Sequence, residues 1–242
     1  IDKCIKSIIN QTYNNIEIIF IDDRSTDNSL KVAKKYSHKI KLISQKKKSG
    51  IGCYDQISTY YEGFKKSTGD IIFFLDSDDY FKKEKISILM NKFKNDAKID
   101  ILNDLPIKKF IKKTLFIKRK KKLLNSYWSY ISPQSCISIR KTKMKKFFEL
   151  ADTKSFPDLW FDFRISIISK YIFNQANFID KNLTYYRQTY NNVSSNFGYL
   201  SLNWWQRRLQ AHNFIKFFFK KNKIYYKKNF DYYLTNFINF FI

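Results

Sequence analysis

The sequence predicts an α/β fold in which a mostly parallel sheet is flanked by helices. Short β-branched runs alternate with segments of helical spacing through residues 1–103. The run "IIFFL" is apolar at every position, which is typical of a strand buried on both faces of a parallel sheet. Hydrophobic residues make up 44% of the 242 residues, which is enough for a sizeable core.

The elements of the first half follow from apolar spacing. The chain begins inside a helix, and "NIEIIFIDD" is a strand that ends in Asp22 and Asp23. A helix follows, with Ser25, Thr26 or Asp27 as its N-cap. The elements after it are the strand "IKLIS", a helix to about residue 66, the strand "GDIIFFLDSDD", a helix over residues 83–95 and the strand "IDILN".

The second half is less regular. The lysine-rich residues 107–122 are predicted to form a solvated loop, with a hairpin near the binding crevice as the alternative. The later elements are the strand "SPQSCISIRK", the amphipathic helix "PDLWFDFRISIISKY" and the strand "NLTYYR", which runs into a polar loop. Residues 201–242 are dense in aromatic residues and lysine and predict two helices that separate near residues 221–223. We therefore divide the chain into a main domain, residues 1–200, and a C-terminal helical tail.

The composition narrows the classes of function. The formal net charge of +25 reflects either a coding bias or an affinity for anions such as nucleic acid, anionic lipid or a phosphorylated substrate. Three widely spaced cysteines suit neither a disulfide framework nor a zinc site, so reduced thiols in a cytoplasmic protein are expected. We find no signal peptide and no uncharged run of the roughly 18 residues that a spanning helix needs. Because the chain begins inside a helix and without Met, we expect it to be a fragment or a chain from which an upstream segment was removed.

Two acidic clusters follow predicted strands. Asp22 and Asp23 end the first strand, and Asp76 and Asp78 end the third. In a parallel sheet, ligands bind beyond the carboxyl ends of the strands, so both clusters are expected to face one crevice. An Asp-x-Asp pair in that position suits a hard divalent cation such as Mg²⁺ or Mn²⁺.

The segment "QTYNNIEIIFIDDRSTDNSL" followed by "STGDIIFFLDSDDYF" resembles the nucleotide-binding half of the family 2 glycosyltransferases. These are inverting enzymes of the Rossmann-like GT-A fold, and the resemblance covers roughly residues 1–200. It implies that Asp23 hydrogen-bonds the uracil of a UDP-sugar, that Asp76 lies near the ribose and the metal, and that Asp78 is the metal ligand. A bridging Mn²⁺ or Mg²⁺ would then stabilise the charge on the departing UDP.

The resemblance also implies a catalytic base. In the family this is the Asp of a Glu-Asp pair that opens a helix, with an Arg six residues later. The run "PDLWFDFR" matches with Asp158 and Arg164, although Pro157 replaces the Glu. Asp162, one helical turn further along, is the second candidate.

Other positions match the family in part. Arg187 of "YYRQTY" matches the Arg of a Tyr-Arg-x-His motif, and Thr189 stands where the His would be. Tyr60 stands where relatives carry an Arg that approaches the diphosphate. The resemblance implies that the family's first strand would stand just before Ile1. The resemblance implies transfer of sugar to a glycan or lipid-linked acceptor in bacterial surface-glycan synthesis.

Three interpretations of the tail stay open: a helical pair packed on the domain, a helix bound to the inner face of an anionic membrane, and a nucleic-acid binder. The whole protein is interpreted as a glycosyltransferase, with a non-catalytic sugar-nucleotide module or a basic surface- or nucleic-acid-binding module as the alternative. Carboxylates that converge on a crevice would repel nucleic-acid phosphates, so we expect no nucleic-acid partner.

Overall fold

The computed structural model describes residues 1–46, 49–119, 127–128, 131–151, 155–175, 177–188 and 197–242. The helices are α1 (Asp2–Ile9), α2 (Ser29–Lys34), α3 (Gly52–Lys66), α4 (Lys85–Asn95), α5 (Lys141–Leu150), α6 (Phe161–Tyr171), α7 (Leu202–Lys221) and α8 (Phe230–Phe240). The strands are β1 (Ile19–Asp22), β2 (Lys41–Ser44), β3 (Ile71–Phe73), β4 (Tyr80–Phe81), β5 (Ile101–Lys109), β6 (Thr114–Phe116), β7 (Ile137–Arg140) and β8 (Phe178–Arg187). A short 3₁₀ turn, Gln134–Cys136, precedes β7.

The strands form two sheets. β1 and β2 pair in parallel, and the main sheet has the order β3-β7-β5-β8-β4, with β6 also paired to β5. Within the main sheet, β5 and β8 are parallel, whereas β3–β7, β5–β7, β4–β8 and β5–β6 are antiparallel. The predicted α/β fold is confirmed, but the sheet is mixed where a mostly parallel one was expected. Apolar runs report burial and not strand direction, so the sequence could not reveal that β7 enters the sheet from the opposite end.

The strand "IIFFL" shows the same difference. It was expected in the middle of a sheet, yet β3 has three residues and lies at the end of the strand order, antiparallel to β7. The central position belongs to β5, whose first seven residues are all buried. β3 therefore carries the acidic residues after it to the edge of the main sheet, while Asp22 is the last residue of β1 in the other sheet and Asp23 follows it.

The main hydrophobic core joins the sheet to α6 and α7. α6 was expected to be amphipathic, but it is buried on most sides, including the side chain of Arg164. Phe214, Ile215, Phe218 and Phe219 of α7 belong to the same core cluster. The first helix of the tail is thus part of the packing that stabilises the domain, because such rings bury large apolar areas.

Several local expectations can be compared with the structure. The N-cap of α2 is Asn28 and not one of the three residues predicted, although Oδ1 of Asp27 accepts a 2.8 Å hydrogen bond from the N–H of Ser29. Within residues 107–119, a hairpin of β5 and β6 forms in place of a loop. The three cysteines, Cys4, Cys53 and Cys136, are buried, and none of the three is in a disulfide. Thr189 and the polar loop after it lie outside the described residues.

Across the described parts of the chain, every helix is too short or too polar to span a bilayer.

Candidate functional site

Three carboxylates meet in the turn that follows β3. Asp76, Asp78 and Asp79 each offer an oxygen, and these oxygens all lie within 4.8 Å of one another. The N–H of Asp79 donates to the carbonyl of Asp76 at 3.0 Å and closes the turn. Asp79 is buried, whereas Asp76 and Asp78 are partly exposed. We call these three residues the acidic turn.

Neutral donors surround Asp76. The hydroxyl of Tyr60 donates to Oδ1 of Asp76 at 3.1 Å, and the side-chain amide of Gln134 donates to the same oxygen. The N–H of Asp76 donates to the hydroxyl oxygen of Ser135 at 3.1 Å. The 3₁₀ turn before β7 therefore holds the acidic turn on one side, and Tyr60 of α3 holds it on the other.

Arg187, which the sequence analysis matched to a motif of the family, lies at the acidic turn. Its backbone N–H donates to Oδ1 of Asp79 at 2.9 Å, and its Nε donates to the carbonyl of Asp78. The hydroxyl of Ser135 donates to Oδ2 of Asp79 at 2.6 Å. Asp79 thus ties the end of β8 to the turn, a role that the sequence did not reveal.

Burial and repulsion perturb these carboxyl groups. Burial and the nearby charge of Asp78 raise the pKa of Asp76 to about 7, although hydrogen bonds from Gln134 and Tyr60 oppose the shift. Burial and the charge of Asp76 raise the pKa of Asp79 to about 8. Both shifts arise because negative charge is concentrated where water is excluded.

A buried ion pair lies beneath the acidic turn. Nζ of Lys85 is 2.8 Å from Oδ1 of Asp104, and both side chains are fully buried. The same Nζ donates to the carbonyl of Ser135 at 2.6 Å and to the hydroxyl of Thr184 at 2.7 Å. Lys85 therefore fixes the backbone of the residue whose hydroxyl binds the acidic turn.

A chain of amides runs from the acidic turn to α6. Gln134, which donates to Asp76, accepts a 2.7 Å hydrogen bond from the amide of Gln56. Oε1 of Gln56 in turn accepts a 3.2 Å hydrogen bond from the N–H of Phe161, the first residue of α6. The start of α6 is thereby positioned relative to the carboxylates.

Asp158 lies in a turn before α6, not at its start as the sequence suggested, because α6 begins at Phe161. Gln210 of α7 binds Asp158 twice: its Oε1 accepts the backbone N–H at 3.1 Å, and its Nε2 donates to Oδ2 at 2.6 Å. Arg164 donates to the carbonyls of Leu159 at 2.8 Å and Phe156 at 3.0 Å. The matched Arg thus holds the shape of the loop that carries Asp158.

Asp162 lies in the first turn of α6. Its Oδ1 accepts the N–H of Phe163 at 2.8 Å. Burial raises the pKa of Asp162, and the charge of Arg207 on α7 partly offsets that rise. The charge of Asp162 also contributes to the raised pKa of Asp76, so the two carboxylates lie within electrostatic range.

Asp23 follows β1 in the smaller sheet. Asp22 shapes its loop by accepting the N–H of Ser25 at 3.2 Å, and Arg24 has a left-handed backbone with φ 58°. α3 packs on β1 so closely that a Cβ at Gly63 would lie 3.0 Å from Cδ1 of Ile21. One turn earlier, α3 carries the Tyr60 that contacts Asp76.

The structure thus unites Asp76, Asp78 and Arg187 and adds partners that the sequence analysis did not name as site residues. These are Gln56, Tyr60, Lys85, Gln134, Ser135 and Gln210. Of these, only Tyr60 had been singled out, as a departure from the family's motif. Glutamines and serines carry no pattern that distinguishes a positioning role from a solvated one.

The donor set of the acidic turn fits a divalent cation. Converging carboxylate oxygens are the ligands that Mg²⁺ and Mn²⁺ prefer, and one or two carboxylates suffice when substrate phosphates complete the shell. Burial and mutual repulsion raise the pKa values of Asp76 and Asp79, and a bound cation would relieve the repulsion.

Comparison with known proteins identifies relatives of the chain. A family model described as "Glycosyl transferase family 2" matches residues 1–154. A cholesterol galactosyltransferase of Borreliella burgdorferi is 35% identical over 99 residues, which are 40% of this chain and 26% of the relative. An uncharacterized glycosyltransferase of Nostoc is 32% identical over 111 residues, which are 44% of this chain and 33% of the relative. The matches thus span about a third or less of these curated relatives.

Solved structures share the fold. S. aureus TarS in complex with UDP-GlcNAc superposes with a TM-score of 0.58 at 20% identity, over 87% of this chain and 61% of the other. The mannosyltransferase PcManGT of Pyrobaculum calidifontis, solved with GDP-Man and Mn²⁺, gives a TM-score of 0.54 at 13% identity, over 96% and 62%. The fold is therefore that of the GT-A glycosyltransferases.

Proposed function

Because the chain belongs to glycosyl transferase family 2, we propose that it is a metal-dependent inverting glycosyltransferase that moves a sugar from a nucleotide-sugar to an acceptor hydroxyl. The acidic turn carries this proposal, since three carboxylates within 4.8 Å of one another are built for a cation and not for a polyanion.

Asp78 and Asp76 would hold Mn²⁺ or Mg²⁺ together with the donor diphosphate. Tyr60 and Gln134 both bind Oδ1 of Asp76, which leaves Oδ2 for the metal. The metal would stabilise the negative charge that develops on the departing diphosphate. Arg187 would add a guanidinium beside it.

UDP is the proposed nucleotide. The motif resemblance matches Asp23 to the residue that hydrogen-bonds uracil in the family, and TarS, which shares the fold, was solved with UDP-GlcNAc. GDP and dTDP are the competing nucleotides, since PcManGT shares the fold as well and was solved with GDP-Man.

The base would be Asp158, with Asp162 as the second candidate. As the acceptor oxygen attacks the anomeric carbon, its proton passes to the carboxylate and the bond from that carbon to the diphosphate oxygen breaks. Gln210 binds Oδ2 of Asp158 and so orients the carboxylate. Asp162 is electrostatically coupled to Asp76, which supports it as the alternative.

The acceptor would be a glycan or a lipid-linked sugar of a bacterial surface polysaccharide. We place the enzyme in the cytoplasm, in peripheral contact with the inner face of the membrane, where such an acceptor would be presented. The exposed aromatic residues and lysines of the last 42 residues support this location.

A thermal-shift titration with UDP, GDP and dTDP, each with and without Mn²⁺, tests the donor site. A nucleotide at about 100 times its dissociation constant stabilises the folded state by roughly 2.7 kcal/mol. We expect a rise in Tm for UDP that requires Mn²⁺ and that Asp78→Asn abolishes. The matched control is Asp180→Asn, which alters an exposed carboxylate on β8.

Incubation of the protein with UDP-sugars and Mn²⁺ then tests turnover through the release of UDP. Stabilisation by UDP without turnover of any sugar would support the non-catalytic module. If no nucleotide stabilises the protein, the acidic turn does not take part in donor binding.

A further inference from the structure

Helix α8 presents its apolar side to solvent. Phe230, Tyr233, Phe237 and Phe240 are 71%, 58%, 65% and 83% exposed. Their spacing of three or four residues places them on one face of the helix. We call these four residues the aromatic face. A helix of a water-soluble domain normally shows the opposite arrangement, with polar residues outward.

The polar side of α8 is fixed against the domain. Asp231 and Thr235 are 4% and 0% exposed. Nε of Arg208 on α7 donates to Oδ1 of Asp231 at 2.9 Å, and Nε2 of His212 lies 3.4 Å from Oδ2. The amide of Asn239 also donates to the carbonyl of Trp205 at 3.1 Å. Rotating the helix to bury its rings would break these contacts and leave the partly buried Arg208 without its carboxylate, which is costly.

Exposed lysines lie next to the aromatic face in the chain. They are Lys216, Lys220, Lys221, Lys223, Lys227 and Lys228. The only acidic residue among residues 201–242 is Asp231, which is buried in its ion pair. The C-terminal segment that carries the aromatic face therefore has a large excess of positive charge, and Nζ of Lys228 lies over the ring of Tyr232 on α8 at 5.4 Å.

We propose that the aromatic face and these lysines bind an anionic lipid surface. Phe and Tyr rings partition into the boundary between headgroups and acyl chains, and neighbouring lysines pair with anionic headgroups. A second copy of the chain fits less well, because a two-fold contact would place one copy's lysines beside the other's. The proposal deepens the peripheral location given under the proposed function and does not depend on nucleotide binding.

Vesicle flotation tests the proposal. The full chain is mixed with phosphatidylcholine vesicles with or without phosphatidylglycerol, in the absence of nucleotide. We expect binding to the phosphatidylglycerol vesicles, and at least about tenfold weaker binding for the double variant Phe237→Ser and Phe240→Ser. Changing Lys227 and Lys228 to Gln should weaken binding by roughly fivefold per lysine, and less at high salt.

Ile111→Ser is the matched control, because Ile111 is 77% exposed but lies in the turn between β5 and β6. It should bind vesicles as the wild type does. Equal binding by the double phenylalanine variant would overturn the proposal. The proposal would also be overturned if the wild type formed a dimer in sedimentation velocity and the double variant did not, since a second copy would then cover the aromatic face. Mn²⁺-dependent stabilisation by UDP, measured on the same variants, separates this outcome from failure of the donor site.

Discussion

The hydroxyl of Tyr60 on α3 donates a 3.1 Å hydrogen bond to Oδ1 of Asp76 in the acidic turn. The ring of Tyr60 is also held by the core, with its centroid 5.0 Å from that of Phe74 and 4.8 Å from that of Phe161. Tyr60, which stands where members of the family carry an Arg, thus orients a carboxylate of the candidate metal site. Because core packing fixes the ring of Tyr60, it also fixes the position of the hydroxyl that binds the carboxylate.

Replacing Tyr60 by Phe should weaken Mn²⁺-dependent nucleotide binding by about tenfold while leaving the fold intact. A hydrogen bond to a charged group contributes roughly 1.5–3 kcal/mol, and 1.4 kcal/mol is a factor of ten. Calorimetric titration with UDP and Mn²⁺ measures the change. Tyr61→Phe is the control, since Tyr61 packs on Phe64 and Phe148. Equal losses in both variants would argue against a specific role of the Tyr60 hydroxyl.

Asp158→Asn should lower the transfer rate by roughly 10²–10⁴-fold, the usual loss when a general base is removed, with UDP affinity unchanged. Initial rates of UDP release at saturating donor measure kcat. Asp162→Asn is the paired variant. If Asp162→Asn abolishes transfer and Asp158→Asn does not, the base lies on α6 itself, and Asp158 serves only to anchor the loop to Gln210.

Breaking the ion pair beneath the acidic turn should destabilise the protein strongly. Lys85→Met or Asp104→Leu alone leaves a buried charge unpaired and should cost roughly 3–5 kcal/mol of unfolding free energy. The double variant should cost clearly less than the sum of the two, because no lone charge remains. Urea unfolding measures all three. The exposed pair of Lys146 and Glu149 is the control, and its loss should cost about 0–1 kcal/mol. Additive effects at Lys85 and Asp104 would contradict the coupling.

The contact of α8 with α7 should weaken in acid. Burial raises the pKa of Asp231, but hydrogen bonds from His212 and Arg208 and the charge of Arg208 outweigh it, so the pKa falls below its ordinary value. The unfolded chain then binds the proton more readily, and this stabilisation is lost as the pH falls through the folded-state pKa. The neighbouring phenol of Tyr226 stays protonated in this range because burial raises its pKa.

Asp231→Asn therefore should lower the unfolding free energy by roughly 1.5–3 kcal/mol at pH 7, and the difference from wild type should shrink below about pH 4. Urea unfolding across this pH range measures it. Asp180→Asn, an exposed change, should show little difference at any of these pH values. A constant difference for Asp231→Asn would mean that the carboxylate contributes packing and not charge.

Much of the local structure could be predicted from the sequence. The spacing of apolar residues located α3 to its last turn and indicated both helices of the tail. The motif around Asp76 and Asp78 identified the acidic turn. These predictions succeeded because a helix with one buried face repeats apolar residues at helical spacing, and because the end of a strand is marked by a change from apolar to polar residues.

The candidate site depended on tertiary contacts that leave no such trace. The prediction of a mostly parallel sheet failed because strand direction is set by how distant segments meet, as when β7 pairs with both β3 and β5. Tyr60 reaches Asp76, and Gln210 reaches Asp158, only after the chain has folded.

By itself, the sequence determined the chemistry available to this protein: a family 2 core, an acidic turn and a basic aromatic C-terminal segment. The tertiary structure decided which neutral side chains orient the carboxylates, which lysine lies buried beneath them and which side of α8 faces solvent. The physical reason is that residue type specifies charge and burial preference, whereas a hydrogen bond requires two atoms within about 3 Å, and only the folded chain brings them together.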